Sequence, residues 1–152
     1  MKQLISVRAL IRNDNKTLLL RRANGRESIL GRYELPGGKL GYGEQPEDAL
    51  ARYIKDDAGL NIQTAQLFDV ITYIDHDDRD IQYTFILYLV SLGEGGNKIS
   101  LSVNYDHYIW KTLVIIIFGR HWQMCSSPSL LNLLNFYSVS RVKTSNQPLR
   151  VN

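Results

Sequence analysis

Apolar and polar positions alternate from Gln3 to Ile11, the two-residue period of a half-buried strand, and Asn13, Asp14 and Asn15 in succession predict a turn. Thr17 to Leu20 returns as a second strand and carries Arg21 and Arg22 at its end. Ala23 to Gly31 is polar with two glycines and reads as a loop. A short strand near Tyr33 is followed by a glycine-rich loop and then by a helix over Pro46 to Ala58. Pro46 suits the first helical turn, Glu47 and Asp48 oppose the positive end of the helix dipole, and Gly59 supplies a left-handed stop. At about 100° per residue, Leu50, Ile54 and Ala58 share a core-facing side, and Arg52, Tyr53, Asp56 and Asp57 crowd the other. Gln66 to Ile74 and Ile81 to Leu92 predict two long strands joined by Asp75 to Asp80, and Gly93 to Asn97 predicts a turn. Tyr105 to Leu113 adds a strand, Leu113 to Phe118 favours strand, Ser126 to Ser129 breaks the chain, and Leu130 to Phe136 suits a short helix before a frayed end over Asn146 to Asn152. Strands, one strong helix and more strands make an α+β domain.

A chain of 152 residues is one domain by length and buries its own core. Its apolar share of 44% and charged share of 22% are those of a soluble globular protein. The single cysteine, Cys125, forms no internal disulfide, which fits a reducing compartment, and a cytoplasmic location is expected. No membrane association is expected, because the longest apolar run, Leu113 to Phe118, falls far short of the roughly 20 residues a spanning helix needs. The net charge of +3 is unevenly spread. All 15 acids lie at or before Asp106, whereas His107 to Asn152 holds Lys111, Arg120, Arg141, Lys143, Arg150 and no acid. The positive balance thus belongs to the end of the chain, and nucleic acid is not expected as a partner. These shifts divide the chain into a domain over 1–125 and a basic tail over 126–152.

The polar face of the helix changes the picture further. Asp56 and Asp57, with Glu44 just before the helix, are oxygen donors suited to a hard cation such as Mg²⁺ or Mn²⁺. Gly37 and Gly38 leave a backbone without Cβ that a bulky ligand can approach, with Lys39 beside them. Arg21 and Arg22 present planar forks of donors that suit a diphosphate. Asp75 to Asp80, which includes His76, is more simply a charged hairpin tip than a metal site. Cys125 is more simply a small buried apolar residue than a nucleophile, and His107 and His121 have no ligand-like spacing.

Gly38, Glu44, Arg52, Ile54, Asp56, Asp57, Gly59 and Leu60 resemble the Nudix box, G-x5-E-x7-R-E-U-x-E-E-x-G-U with U aliphatic, and Tyr33-Glu34-Leu35-Pro36-Gly37 resembles its approach. Asp56 and Asp57 stand where the box has glutamates, and Tyr53 replaces a third. The resemblance to Nudix hydrolases implies a mixed β-sheet sandwiched between α-helices, covering about Gln3 to Lys111. It implies metal-dependent hydrolysis of a nucleoside diphosphate derivative. Glu44, Asp56 and Asp57 are the expected metal ligands, Arg52 orients them, and Arg21, Arg22, Gly37, Gly38 and Lys39 bind substrate. A further carboxylate from outside the box is also implied, with Glu94 and the Asp75 to Asp80 group as candidates. A neutral phenol at Tyr53 neither offsets metal charge nor serves as a ready base. The alternative expectation is therefore a catalytically impaired Nudix-fold module that binds or senses a nucleotide. A homodimer stays open as its assembly state.

Overall fold

The computed structural model describes residues 2–75, 81–93, 98–112, 114–118, 121–125 and 138–139. The chain divides into two compact units, Met1–Thr112 and Leu113–Asn152.

Strand β1 (Lys2–Asn13) is the axis of the first unit. It turns at Asp14, whose φ of 52° is left-handed, into β2 (Lys16–Arg22). An aspartate tolerates that conformation better than most residues. The hairpin pairs only at its base, Arg12 with Thr17 and Asn13 with Lys16. From there β1 and β2 part company. Over Lys2 to Ile11, β1 runs parallel to β6 (Ile81–Leu92), and β6 pairs antiparallel with β5 (Ile62–Asp75). β2 instead pairs antiparallel with β3 (Tyr33–Glu34) and β7 (Tyr105–Lys111). The result is a mixed α+β fold around a mixed sheet. Its one α-helix among the described residues is α1 (Pro46–Ala58), with a 3-10 turn over Glu27–Ile29 in the expected loop.

Helix α1 forms over the predicted residues and buries the predicted face. Ala49, Leu50, Ile54 and Ala58 join a core with Val7, Ala9 and Ile11 of β1, Leu18 and Leu20 of β2, and Tyr88 and Val90 of β6. Leu50 and Ile54 are fully buried, each worth about 2 kcal/mol of apolar transfer. Gly59 closes the helix in the left-handed region at φ 69°, its N–H reaching back to the Lys55 carbonyl.

Two elements depart from expectation. Gly37, Gly38 and Lys39, read as a loop, form a short strand, β4 (Gly37–Lys39), antiparallel to Ser6–Arg8 of β1. Glycines carry little strand preference, so only the partner strand reveals the pairing. β5 starts at Ile62, four residues before the expected Gln66, with irregularities at Ile62/Thr64 and Leu67/Asp69. Its first residues, Ile62-Gln63-Thr64-Ala65, break the two-residue alternation where the register shifts, on a strand whose partner among the described residues is β6 and which meets solvent on one side.

The second unit contains an antiparallel sheet of β8 (Val114–Phe118), β9 (His121–Cys125) and β10 (Ser138–Val139). The expected strand at Leu113 to Phe118 therefore appears from Val114. The Ser126 to Ser129 break, the short helix over Leu130 to Phe136 and the Asn146 to Asn152 end lie outside the described residues. So do His76 to Asp80 and Glu94 to Asn97, and with them Glu94 and most of the acidic tip.

Candidate functional site

The site is built where β4 and α1 meet. Gly37 is buried with φ 133°, and a Cβ there would lie 2.2 Å from the Val7 carbonyl oxygen of β1. Any side chain would push the strands apart. Arg8 clamps the same segment by donating from Nη1 to the carbonyls of Leu35 (3.1 Å) and Gly37 (3.0 Å). Its Nη2 lies 3.7 Å from Glu34 Oε2. Glu34 Oε1 accepts further bonds from Arg22 Nη2 and from the Tyr105 hydroxyl, the latter at 2.8 Å. Burial, then the Glu34 charge, pushes the Tyr105 phenol well above its ordinary value. Arg22 stacks over the Tyr105 ring at 4.6 Å, and its Nε is buried without a hydrogen-bond partner.

The two expected phosphate arginines are thus both paired. Arg22 serves Glu34, and Arg21 makes a two-pronged pair with Asp106 at 2.8 and 3.0 Å. That pairing raises the Arg21 pKa and holds the Asp106 carboxyl below its usual range, although both groups face solvent. Lys39 is exposed at the end of β4.

Across from β4, Glu44 and Arg52 lock together. Arg52 Nε and Nη2 donate to the two Glu44 oxygens at 2.9 Å each, and the Gly41 N–H donates to Glu44 Oε2 at 2.9 Å. The Arg52 guanidinium, and then the Gly41 N–H, keep the Glu44 carboxyl below its ordinary value, and the same pairing raises Arg52. Arg52 also lies 4.3 Å from the centroid of the Tyr53 ring. Tyr53 reaches over Gly38: a Cβ on Gly38 would lie 2.3 Å from the phenolic ring carbon Cζ.

The two helix acids part ways. Asp56 is exposed, whereas Asp57, expected beside it on the polar face, is buried at 5% exposure. Its Oδ1 accepts the Ser102 hydroxyl (2.9 Å) and the Asn104 amide (3.4 Å), and its carbonyl accepts the Ser102 N–H. Neither Ser102 nor Asn104 stands out in the sequence, because both lie about 45 residues from Asp57 in a polar stretch and only folding brings them in. Glu34, quoted only as part of the approach to the box, was given no role for the same reason, its partners Arg8, Arg22 and Tyr105 being scattered along the chain.

Among the described residues no group of three or more His, Cys, Asp or Glu is arranged to hold a metal ion. The donor set agrees. Both Glu44 oxygens accept from Arg52, Asp57 faces Ser102 and Asn104, Asp56 is exposed apart from both, and Tyr53 stands where the box has a further carboxylate. As arranged, these residues do not fit a three-carboxylate cation site of the Mg²⁺ type. His107 lies edge-on to Tyr33 with ring centroids 6.2 Å apart, a packing role, and no helix of the described residues is long and apolar enough to cross a membrane.

The fold and this site can now be set beside known proteins. Residues 2–102 match the NUDIX domain family model. The chain is 34% identical over 95 residues to an 8-oxo-dGTP diphosphatase of Escherichia coli, covering 62% of this chain and 71% of that protein. It is 38% identical over 85 residues to an ADP-ribose pyrophosphatase of Methanocaldococcus jannaschii, covering 55% of this chain and about half (49%) of that one. In structure it resembles a MutT NUDIX hydrolase from Burkholderia pseudomallei, with a TM-score of 0.64 at 23% identity over 74% of this chain and 84% of the other. It also resembles the NUDIX domain of Shewanella oneidensis NrtR, solved with ADP-ribose, with a TM-score of 0.59 at 20% identity over 72% and 73% of the two chains. These two likenesses are of fold. Spanning two thirds of the sequence and joined to the G-x5-E-x7-R spacing of Gly38, Glu44 and Arg52, the family match means that this chain belongs to the Nudix family.

Proposed function

We propose that this protein is a Nudix-fold module that binds a nucleoside diphosphate derivative and turns it over poorly or not at all. The observation that carries this reading is the dispersal of the box carboxylates. Glu44 is tied to Arg52, Asp57 is turned to Ser102 and Asn104, Asp56 stands apart in solvent, and Tyr53 replaces a fourth acid. Hydrolysis of a diphosphate needs concentrated positive charge to offset the charge of attacking water and of the leaving phosphate, and dispersed acids do not hold the cations that would supply it. Binding makes a smaller demand. Exposed Lys39 offers a diphosphate its charge, and Arg21 and Arg22 add planar forks of donors only where the ligand displaces Asp106 or Glu34.

The second reading, a slow Mg²⁺- or Mn²⁺-dependent hydrolase, is favoured by one specific feature, the retention of Glu44 and Arg52 at their box positions. In that reading Glu44, Asp56 and Asp57 would be the residues to hold the cation, which would supply the positive charge that diphosphate hydrolysis needs. The ligand class follows the names of the relatives, an 8-oxo-dGTP diphosphatase and an ADP-ribose pyrophosphatase.

One experiment separates the readings. The protein is incubated with ADP-ribose, ADP and 8-oxo-dGTP, with and without Mg²⁺, while nucleoside monophosphate formation and thermal stabilisation are followed together. Stabilisation without product release is expected. Sustained Mg²⁺-dependent release would establish the hydrolase, and neither signal with any ligand would remove nucleotide binding altogether.

A further inference from the structure

The missing Cβ of Gly38 is a vacancy that the chain has already filled from within. A glycine before a helix is ordinarily read as room for a ligand to approach the backbone. Here that room belongs to Tyr53, because an added Cβ would meet Cζ, Cε1 and Cε2 of its ring at 2.3, 2.5 and 2.8 Å. The ring is also held. Arg52 lies 4.3 Å from its centroid, Arg52 is fixed by two 2.9 Å bonds to Glu44, and Glu44 is fixed by the Gly41 N–H. Gly41 is itself shaped for this, since a Cβ there would lie 2.9 Å from Glu44 Oε2. The sequence Gly38, Tyr53, Arg52, Glu44, Gly41 therefore closes on itself where β4 and α1 meet. Its outer links are partly exposed, with Arg52 at 43% and Glu44 at 22% side-chain exposure.

From this closed arrangement we infer that Tyr53 is a gate over the glycine strand, which a diphosphate must displace before it reaches the Gly38 backbone. This inference rests on the nucleotide-binding reading above. An anion offers Arg52 an alternative to both Glu44 and the ring face, so the entering ligand competes for the link that holds the gate shut. A ligand that swings Tyr53 aside binds more weakly than its contacts alone allow, by the fraction of molecules already open. Occupation of the site is thereby coupled to a movement on the helix surface.

The test uses the full chain, inorganic pyrophosphate and ADP as probes, and calorimetric titration with and without Mg²⁺. Tyr53→Ala is expected to bind pyrophosphate at least about five-fold more tightly than wild type, a gain set by the closed fraction it abolishes. Tyr53→Phe, which keeps the ring, is expected to match wild type. Tyr53→Leu replaces Tyr53→Ala if the smaller residue fails to fold, because it preserves apolar contact with the core and drops the ring. Packing is read separately: Gly38→Ala should lower Tm markedly in wild type and much less in the Tyr53→Ala background. Equal losses in the two backgrounds would show that the ring does not occupy this space and would overturn the gate. So would Tyr53→Ala binding pyrophosphate no better than wild type, with weaker binding making the ring a platform instead. If wild type binds nothing and Tyr53→Ala does bind, the gate stands and binding by wild type is wrong. If no variant binds either probe, both fail, whereas equal binding throughout removes the gate and leaves nucleotide binding intact.

Discussion

At the N-terminal end of α1, Glu44 sits partly in solvent and is gripped by the charged fork of Arg52, whereas at the C-terminal end Asp57 is buried and held by the neutral donors Ser102 and Asn104. Both are acids of the same sequence motif, about one helix length apart. The difference lies in what removes each from service. Glu44 is engaged by a pair that water and salt weaken, so an anion or cation can exchange for either partner. Asp57 is engaged by hydrogen bonds that replace the hydration its own buried carboxylate has lost, so breaking them leaves that carboxylate unmet. One end of the helix is thus available to a ligand and the other is a staple, tying the 98–104 segment to α1, with the Ser100 N–H also donating to the Ala58 carbonyl at 2.9 Å.

The contrast is broken most directly at Asp57. Asp57→Ala is expected to destabilise the protein by about 2 kcal/mol in urea denaturation, because it removes the buried carboxylate that accepts from half-buried Ser102 and from exposed Asn104. A loss near zero would mean that the staple is not a stabilising contact. Asp57→Asn keeps an acceptor for Ser102, and Mn²⁺ titration is expected to give the same affinity as wild type. A large fall in Mn²⁺ affinity would restore Asp57 to the cation site and favour the hydrolase. From the other side of the contact, Ser102→Ala should cost less, about 1 kcal/mol, the ordinary worth of one hydrogen bond, because Asn104 still donates to Asp57.

At the exposed end the effect on stability is smaller and depends on pH. Because Arg52 lowers the Glu44 pKa in the folded state, this pair's stabilisation is fully present above the ordinary carboxylate value of about 4.3. It is lost as pH falls through the depressed folded value. The Tm difference between wild type and Arg52→Ala should therefore hold near neutral pH and vanish in stronger acid, and a difference that persists there would assign it to packing on Tyr53. The smallest effect is expected from the end of the chain. Both ends of α1 lie in the Met1–Thr112 unit, so truncation after Cys125 is expected to leave pyrophosphate and Mn²⁺ affinity unchanged, and loss of either would make the 126–152 tail part of the domain.

Local rules made α1 readable to the residue. Pro46 begins it, Gly59 ends it, and the 3.6-residue period of Leu50, Ile54 and Ala58 aims it at the core. The strands on either side of the acidic tip and the Asp14 turn were legible for the same reason, since apolar alternation and turn chemistry act within a few residues. The family was legible too, because the box spacing is written along one continuous stretch. The partners across the sheet were not. Nothing near Gly37 announces that β1 lies 2.2 Å from where its Cβ would be, and nothing near Lys2 to Ile11 announces a parallel partner some 80 residues away.

The site shows the same boundary. The sequence by itself determined which acids and glycines lie on and just before α1, because the box spacing and the helix bounds are written along one continuous stretch. Only the tertiary structure decided what each would do. Asp57, seven residues and so about two turns from Leu50, faces inward by the helix period, but only packing brought Ser102 and Asn104 to it, and Gly38 was covered because the Tyr53 ring had a glycine beneath it and a guanidinium fixed by Glu44 beside it. A carboxylate's role depends on which donors reach it first, and donors brought in by packing carry no local signal in the sequence.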